Sequence, residues 1–205
     1  DVATWSFCQD KIISTGGEGG MLTTNNKEIY KYVLSYKDHG TNFDLLNQVR
    51  NEIGFKWIHE HVGTNLRLTE MQSAIGRNQL KKIHYWNMLR NRNSEILFKI
   101  LKNLPLLRIP MPEKNITHAW YRFYCYLNSR YLSSNWNRDR IIEEIKELGV
   151  DVFSGSCSEI YLEKCFKDLD YYPKKRLPNA KELGETSLAF LVHPTISEEE
   201  QLKKA

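Results

Sequence analysis

The sequence has 205 residues, of which 41% are hydrophobic and 26% charged, a composition that suits one or two globular domains with real cores. Its 29 basic and 25 acidic residues are scattered along the chain and leave a net charge of +4, which argues against a nucleic-acid-binding surface. No apolar run reaches the roughly 18 residues that a membrane-spanning helix requires, so no membrane span is predicted.

The four cysteines form neither a CxxC pair nor a spacing typical of a zinc site. They are therefore predicted to be reduced thiols that serve as small buried hydrophobic residues in a cytoplasmic protein, and no metal site is expected. The sequence starts without Met, directly in the apolar stretch 2–7, and it ends just after a predicted helix begins. We expect it to be a fragment of a longer protein.

Two short strands are predicted first, Val2–Cys8 and Gly20–Thr24, and the loop between them contains Lys11 and the glycine-rich segment 16–20. A helix follows over Lys27–Tyr36, where apolar residues recur at helical spacing. The next predicted segment is a long, polar and aromatic connection from Lys37 to Thr64. Loops of this length are usually functional or poorly ordered.

Thr69 and Gln72 match a capping box, which predicts the start of a long helix. Pro105 ends the pattern, and a bend or break is expected near 85–88, so that the helix joins two domains. The predicted apolar stripe consists of Met71, Ala74, Ile75, Leu80, Ile83, Leu89, Ile96, Leu97, Ile100, Leu101 and Leu104.

The remaining residues alternate between short strands and helices, which predicts a small α+β or α/β domain of about 100 residues. The predicted elements are a strand at Ala119–Leu127, a helix at Arg138–Leu148 ended by Gly149, a strand at Val150–Phe153, helical segments at Glu159–Phe166 and Asn179–Thr186, a strand at Leu188–Val192 and a last helix capped by Ser197.

The segment from Ser6 to Lys11 places a hydroxyl and an amine just beyond the end of a strand, and glycines then allow a close approach of the backbone. Such a set suits a phosphorylated aldehyde, because a lysine amine can form a Schiff base while a hydroxyl and backbone amides bind phosphate. From this chemistry alone, an ordinary solvated lysine remains the more common explanation.

The order Ser6-Phe7, then Lys11, then Gly17-Glu18-Gly19-Gly20 resembles the pyridoxal-phosphate attachment motif of the DegT/StrS sugar aminotransferases. The segment Gly63–Gly76, with Asn65, Arg67, Thr69, Glu70 and Gln72, is similar to a second motif of that family. Gly16, an extra glycine before the first motif's Glu18, and Leu66, where the family usually has Tyr, are departures. His39, Tyr161 and His193 lie in weaker matches and are candidates for a substrate cleft.

The resemblance implies a partial fold-type-I, aspartate-aminotransferase-like α/β protein. Residues 1–84 would be the C-terminal part of the large pyridoxal-phosphate domain, whose first part is absent, and residues 85–205 the connecting helix and small domain. It further implies that Lys11 is catalytic and binds the cofactor, that Ser6 binds its phosphate, and that Asn65 reaches the cofactor phosphate of the partner subunit in a homodimer with shared sites.

The reaction implied by the resemblance transfers an amino group from an amino acid, usually L-glutamate, to a nucleotide-linked keto-sugar for amino-sugar or surface-polysaccharide synthesis. The fragment alone is expected to be inactive, because the family's ring-nitrogen acid and stacking aromatic residue have no position in it. Two alternatives stay open. One is a sugar dehydratase of the same family. The other is a non-catalytic α+β interaction domain, which predicts a self-contained first strand.

Overall fold

The computed structural model describes residues 1–48, 53–54, 57–167, 169 and 172–205. These residues form two compact units, Asp1–Ile83 and His84–Ala205. Along the chain, the division lies one residue before the boundary predicted from the sequence. Part of the predicted connection over 37–64 lies outside the described residues. In the part of the chain that the structure describes, no helix is long and apolar enough to cross a membrane.

The first unit opens with two antiparallel strands, β1 (Val2–Ser6) and β2 (Gly20–Thr24). β1 ends two residues earlier than predicted, because the backbone turns at Cys8, whose carbonyl accepts a hydrogen bond from the Lys11 amide at 3.1 Å. Among the described residues this sheet has only two strands, so each keeps one edge without a partner. All five residues of β1 are exposed. The aminotransferase hypothesis predicts such open edges, whereas the interaction-domain alternative does not.

Two helices follow the sheet, α1 (Lys27–Tyr36) and α2 (Phe43–Leu46). α1 has the predicted bounds, and the Asn26 side chain caps it by accepting hydrogen bonds from the first-turn amides. α2, inside the predicted connection, is capped in the same way by Asn42. A short polar residue at a helix start can hold even one turn of helix in a segment without apolar periodicity.

The predicted long helix is two helices, α3 (Glu70–Leu80) and α4 (Ile83–Leu101). The capping box of Thr69 and Gln72 is confirmed, but the break lies at residues 81–82 and not at 85–88. The α3 part of the predicted apolar stripe is exposed: Met71 is 78% exposed and no residue of α3 is fully buried. Polar and small residues occupy its inner face instead.

The second unit contains a four-stranded antiparallel sheet and helices. Its strands, in the order β3-β4-β6-β5, are β3 (Leu107–Arg108), β4 (Phe123–Leu127), β5 (Val152–Phe153) and β6 (Ser187–Phe190), and its further helices are α5 (Arg138–Glu147), α6 (Pro178–Thr186) and α7 (Glu198–Lys204). The segment predicted as helical at 159–166 forms two 3₁₀ turns, 160–162 and 164–166, which is a correction. Gly149 adopts φ +82° after α5, as its position predicts.

The core of this unit lies between one face of the sheet and the helices, because alternate residues of β4 point to one side. Its buried residues are Leu97, Leu101, Trp120, Phe123, Cys125, Leu127, Ile142, Val152, Leu188, Phe190 and Val192. Only Cys125 of the four thiols is buried; Cys8 is half-buried, and Cys157 and Cys165 are exposed, so the prediction of four buried cysteines is wrong. All four are free thiols that form no disulfide.

Polar residues occupy the middle of the buried face of α4. Arg90 is 5% exposed and donates hydrogen bonds from Nη1 to the carbonyls of Trp120 at 3.0 Å and Tyr121 at 3.3 Å. Burial lowers the pKa of this guanidinium. Asn93 donates to the carbonyl of His193 at 3.0 Å. These contacts hold the irregular segments that precede β4 and follow β6 against α4.

Candidate functional site

Lys11 lies on a tight turn directly after β1. Ser6 is the last residue of β1, and its hydroxyl accepts a hydrogen bond from the Cys8 amide at 3.4 Å, so its side chain contacts the start of this turn. The Lys11 amine lies 2.8 Å from a carboxylate oxygen of Asp10 and 3.7 Å from the Cys8 sulfur. Ser6 and Lys11 are both exposed. The turn therefore presents an amine and a hydroxyl together at the end of a strand.

The glycine-rich segment folds back onto the same strand end. Its backbone closes on Phe7, which donates to the Gly19 carbonyl at 2.8 Å and accepts from the Thr15 amide at 3.2 Å. Gly16, at φ +82°, permits the turn that this closure needs. Thr15 is 1% exposed, and a Cβ at Gly19 would lie 2.4 Å from its hydroxyl. The loop after Lys11 is thus packed tightly around one buried threonine.

Helix α3 packs against this loop through polar and small residues. The Gln79 side chain accepts a hydrogen bond from the Ser14 amide at 2.9 Å, and Gln72 donates to the Glu18 carbonyl at 2.8 Å. Between them, a Cβ at Gly76 would lie 2.9 Å from the Thr15 methyl group. Residues 72, 76 and 79 share one helix face, because they are three and four positions apart. This face positions the Lys11 loop.

Asn65 lies on the extended segment that leads into α3. It forms an antiparallel bridge with Asp38, in the turn that follows α1, and its side chain accepts a hydrogen bond from the Arg67 amide at 3.3 Å. The Arg67 guanidinium forms an ion pair with Asp38. Asn65 is exposed. The segment that contains Asn65 is therefore held by backbone and side-chain contacts, while the side-chain amide of Asn65 remains accessible.

Close backbone contacts fix the turn that Asn65 pairs with. A Cβ at Gly40 would lie 1.6 Å from the His61 carbonyl oxygen, and one at Gly63 would lie 2.3 Å from the Gly40 nitrogen. His39, at φ +58°, donates from its amide to the Thr64 carbonyl at 3.2 Å, while its carbonyl lies 3.0 Å from His59 Nδ1. His39 thus has a role in shaping this turn.

The other residues suggested by the sequence lie in the second unit. The Tyr161 hydroxyl donates a hydrogen bond to Glu159 and accepts one from the Leu177 amide at 2.9 Å, so both of these hydrogen bonds are made within the protein. Arg176 forms an ion pair with Glu159, and these bonds lower the pKa of that carboxyl to about 2. Burial, followed by the charge of Arg90, lowers the pKa of His193.

Several residues that support the site were not assigned to it from the sequence. Gln72 and Gln79 hold the Lys11 loop, and Asp38 with Arg67 holds the Asn65 segment. The capping box marks Gln72 in the sequence, but only its helix-capping role can be inferred from that pattern. Within the described residues, no group of three or more His, Cys, Asp or Glu side chains could hold a metal ion.

Residues 1–203 match the model of the DegT/DnrJ/EryC1/StrS aminotransferase family. Among curated relatives, the uncharacterized protein MJ1066 of Methanocaldococcus jannaschii is 29% identical over 98% of this chain and 51% of its own length. The dTDP-3-amino-3,4,6-trideoxy-alpha-D-glucose transaminase of Streptomyces venezuelae is 23% identical over 98% of the chain and 48% of its length. The chain spans about half the length of the curated relatives it matches.

Solved structures share the fold over nearly the whole chain. An aminotransferase from Psychrobacter cryohalolentis is 45% identical with a TM-score of 0.93, covering 99% of this chain and 53% of that protein. A GDP-4-keto-6-deoxy-D-mannose-3-dehydratase of E. coli, solved with bound hydrated PLP, gives 24% identity and a TM-score of 0.79, covering 99% and 53%. The fold is thus part of the α/β fold-type-I aminotransferase architecture. The chain belongs to the DegT/DnrJ/EryC1/StrS aminotransferase family.

Proposed function

We propose that this chain contains the cofactor-binding lysine of a pyridoxal-phosphate-dependent sugar aminotransferase, and that the lysine is Lys11. In this proposal residues 1–84 belong to the large domain and residues 85–205 form the connecting helix and small domain. The enzyme is a cytoplasmic homodimer that moves an amino group from an amino acid, L-glutamate above all, to a nucleotide-linked keto-sugar. The observation that carries the proposal is the Lys11 turn, held at a strand end by α3.

The donor set of this turn fits pyridoxal phosphate. An exposed amine can hold the cofactor's aldehyde, and the Ser6 hydroxyl, at the strand end where the turn begins, would bind its phosphate. The tight packing around Thr15 fixes the loop in one conformation, which keeps these groups in place. Asn65, exposed on its held segment, would contact the phosphate bound by the partner subunit.

Pyridoxal phosphate supplies an electron sink that stabilises negative charge on a substrate carbon. Lys11 would have two tasks: its amine would hold the cofactor, and it would carry a proton to and from the reacting carbon. Asp10, 2.8 Å from the amine, is placed to pair with it whenever it is protonated. Ser6 would hold the phosphate of the cofactor bound to this chain, and Asn65 that of the cofactor bound to the partner subunit.

The test is covalent trapping in the intact protein. Incubation with pyridoxal phosphate and reduction with borohydride should label the peptide containing Lys11, as detected by mass spectrometry. Lys11→Ala should abolish the label. Lys31→Ala is the control and should retain it, because Lys31 is an exposed lysine of α1 that forms an ion pair with Asp44 of α2. A label that persists in Lys11→Ala would refute the assignment.

A second candidate reaction, sugar dehydration, is supported by the E. coli dehydratase with the same fold. The lysine at position 11 favours transamination, because some dehydratases of the family have His in place of this lysine, although not every dehydratase is excluded by it. With L-glutamate and a nucleotide-linked keto-sugar, the aminotransferase yields an amino sugar and 2-oxoglutarate. A dehydratase yields a deoxygenated keto-sugar instead, and mass spectrometry of the products distinguishes the two.

A further inference from the structure

Gln72 uses both ends of its side-chain amide. Its oxygen accepts hydrogen bonds from the Thr69 amide at 3.2 Å and the Thr69 hydroxyl at 2.9 Å, which completes the capping box of α3. Its nitrogen donates to the Glu18 carbonyl at 2.8 Å, 54 residues earlier in the chain. One half-buried side chain thus joins two segments that are distant in sequence.

The oxygen end of Gln72 fixes the segment that contains Asn65. Thr69 ends that segment, and its capping interactions determine the direction in which residues 65–68 enter the helix. On the other side, Arg67 pairs with Asp38 and the Leu66 amide donates to the Lys37 carbonyl at 2.9 Å. The segment is therefore anchored at both ends, and the C-terminal anchor is the cap that Gln72 completes.

The nitrogen end of Gln72 fixes the loop that contains Lys11. The Glu18 carbonyl that it contacts also accepts the Thr15 hydroxyl at 3.0 Å, so this carbonyl is held from two sides. Thr15 in turn closes the loop on Phe7, next to the strand end. A shift of α3 along its axis would therefore move the loop and the Asn65 segment together.

We propose that Gln72 is a positioning residue that couples the Lys11 loop to the Asn65 segment, so that one side chain holds in place what this chain contributes to its own site and to the partner subunit's site. This rests on the proposed function of those two residues. The role needs a donor and an acceptor on one side chain, which an amide provides. A glutamate at this position would keep the helix cap, because Glu also completes a capping box, but would lose the donor to Glu18.

The experiment compares Gln72→Glu and Gln72→Ala in the intact protein by hydrogen exchange and by the rate of Lys11 labelling with pyridoxal phosphate. In Gln72→Glu we expect exchange in residues 12–20 to rise about tenfold and labelling to slow by a similar factor, while residues 69–76 keep their protection. In Gln72→Ala, exchange should rise in both regions. Glu200→Gln is the matched control, because Glu200 completes the capping box of α7 and should leave Lys11 labelling unchanged.

Unchanged exchange over 12–20 in Gln72→Glu would overturn the coupling, and so would an equal rise in every peptide. The exchange data require no cofactor, so they test the coupling even if Lys11 proves not to react. A failure of the proposed function appears separately, as absence of the Lys11 label in the unsubstituted protein.

Discussion

The Gln79 side chain accepts a hydrogen bond from the Ser14 amide at 2.9 Å, across 65 residues of sequence. This contact, on the same helix face as Gln72, holds the loop three residues after Lys11. An amide buried without its acceptor costs about 1–3 kcal/mol, so the loop depends on this bond for its conformation.

Replacing Gln79 with Leu should therefore loosen the Lys11 loop. We expect hydrogen exchange over residues 12–20 to accelerate by about tenfold for each 1.4 kcal/mol lost. Arg77→Leu is the matched control, because Arg77 is exposed on the same helix and Arg, Gln and Leu have similar helix propensities. Equal effects of the two substitutions would show that the Ser14 contact does not hold the loop.

Gly40→Ala should disrupt the turn that Asn65 pairs with. The new Cβ would lie 1.6 Å from the His61 carbonyl oxygen, at a φ of +76° that itself disfavours Ala. Gly149→Ala has a similar φ, +82°, but meets no atom within 4 Å, so it should cost only the backbone term of about 1–2 kcal/mol. Pulse proteolysis in urea should show the larger loss of stability for Gly40→Ala, and equal losses would contradict the steric explanation.

The interactions of Glu159 with Arg176 and Tyr161 should make the stability of the folded protein depend on pH. Because the pKa of Glu159 is lowered to about 2 in the folded protein, the pair stabilises the fold above the ordinary carboxyl value of about 4.3. This stabilisation is lost as pH falls from there towards 2. The difference in Tm between the unsubstituted protein and Glu159→Gln should therefore shrink from pH 6 to pH 2.5. A constant difference would show that the carboxylate is not the cause.

The four thiols should differ in reactivity towards iodoacetamide. Cys157 and Cys165 are exposed and should be alkylated in the native protein at pH 8. Cys125 is fully buried, and burial raises its pKa to about 12, so it should react only after unfolding. Peptide mass spectrometry before and after denaturation checks this. Alkylation of Cys125 in the native state would mean that β4 opens readily.

Local signals in the sequence predicted many of the elements. α1, the capping box at Thr69 and the N-cap Ser197 depend on residues within one helical turn, and they are found as predicted. The inner face of α3 could not be predicted, because its partner is a loop rich in backbone donors and acceptors. Such a loop selects Gln72, Gly76 and Gln79, whereas an apolar pattern finds only faces that pack on a hydrophobic core.

In the candidate site, too, local relationships could be predicted from the sequence and long-range contacts could not. The sequence places Ser6 and Lys11 close together at the end of the first strand, because they are near neighbours along the chain. It could not show that Asp38 binds Arg67, since that contact depends on how the turn after α1 meets the segment before α3. Long-range contacts between polar side chains leave no periodic pattern in a single sequence.

The open edges of the first sheet also bear on how the chain should be prepared. All five residues of β1 are exposed, including Trp5, and within the described residues no third strand covers either edge. A bare strand edge is a template for pairing with another chain, which leads to aggregation. The 205 residues expressed by themselves should therefore become turbid at high concentration, whereas a polypeptide that supplies a strand for β1 should keep them in solution.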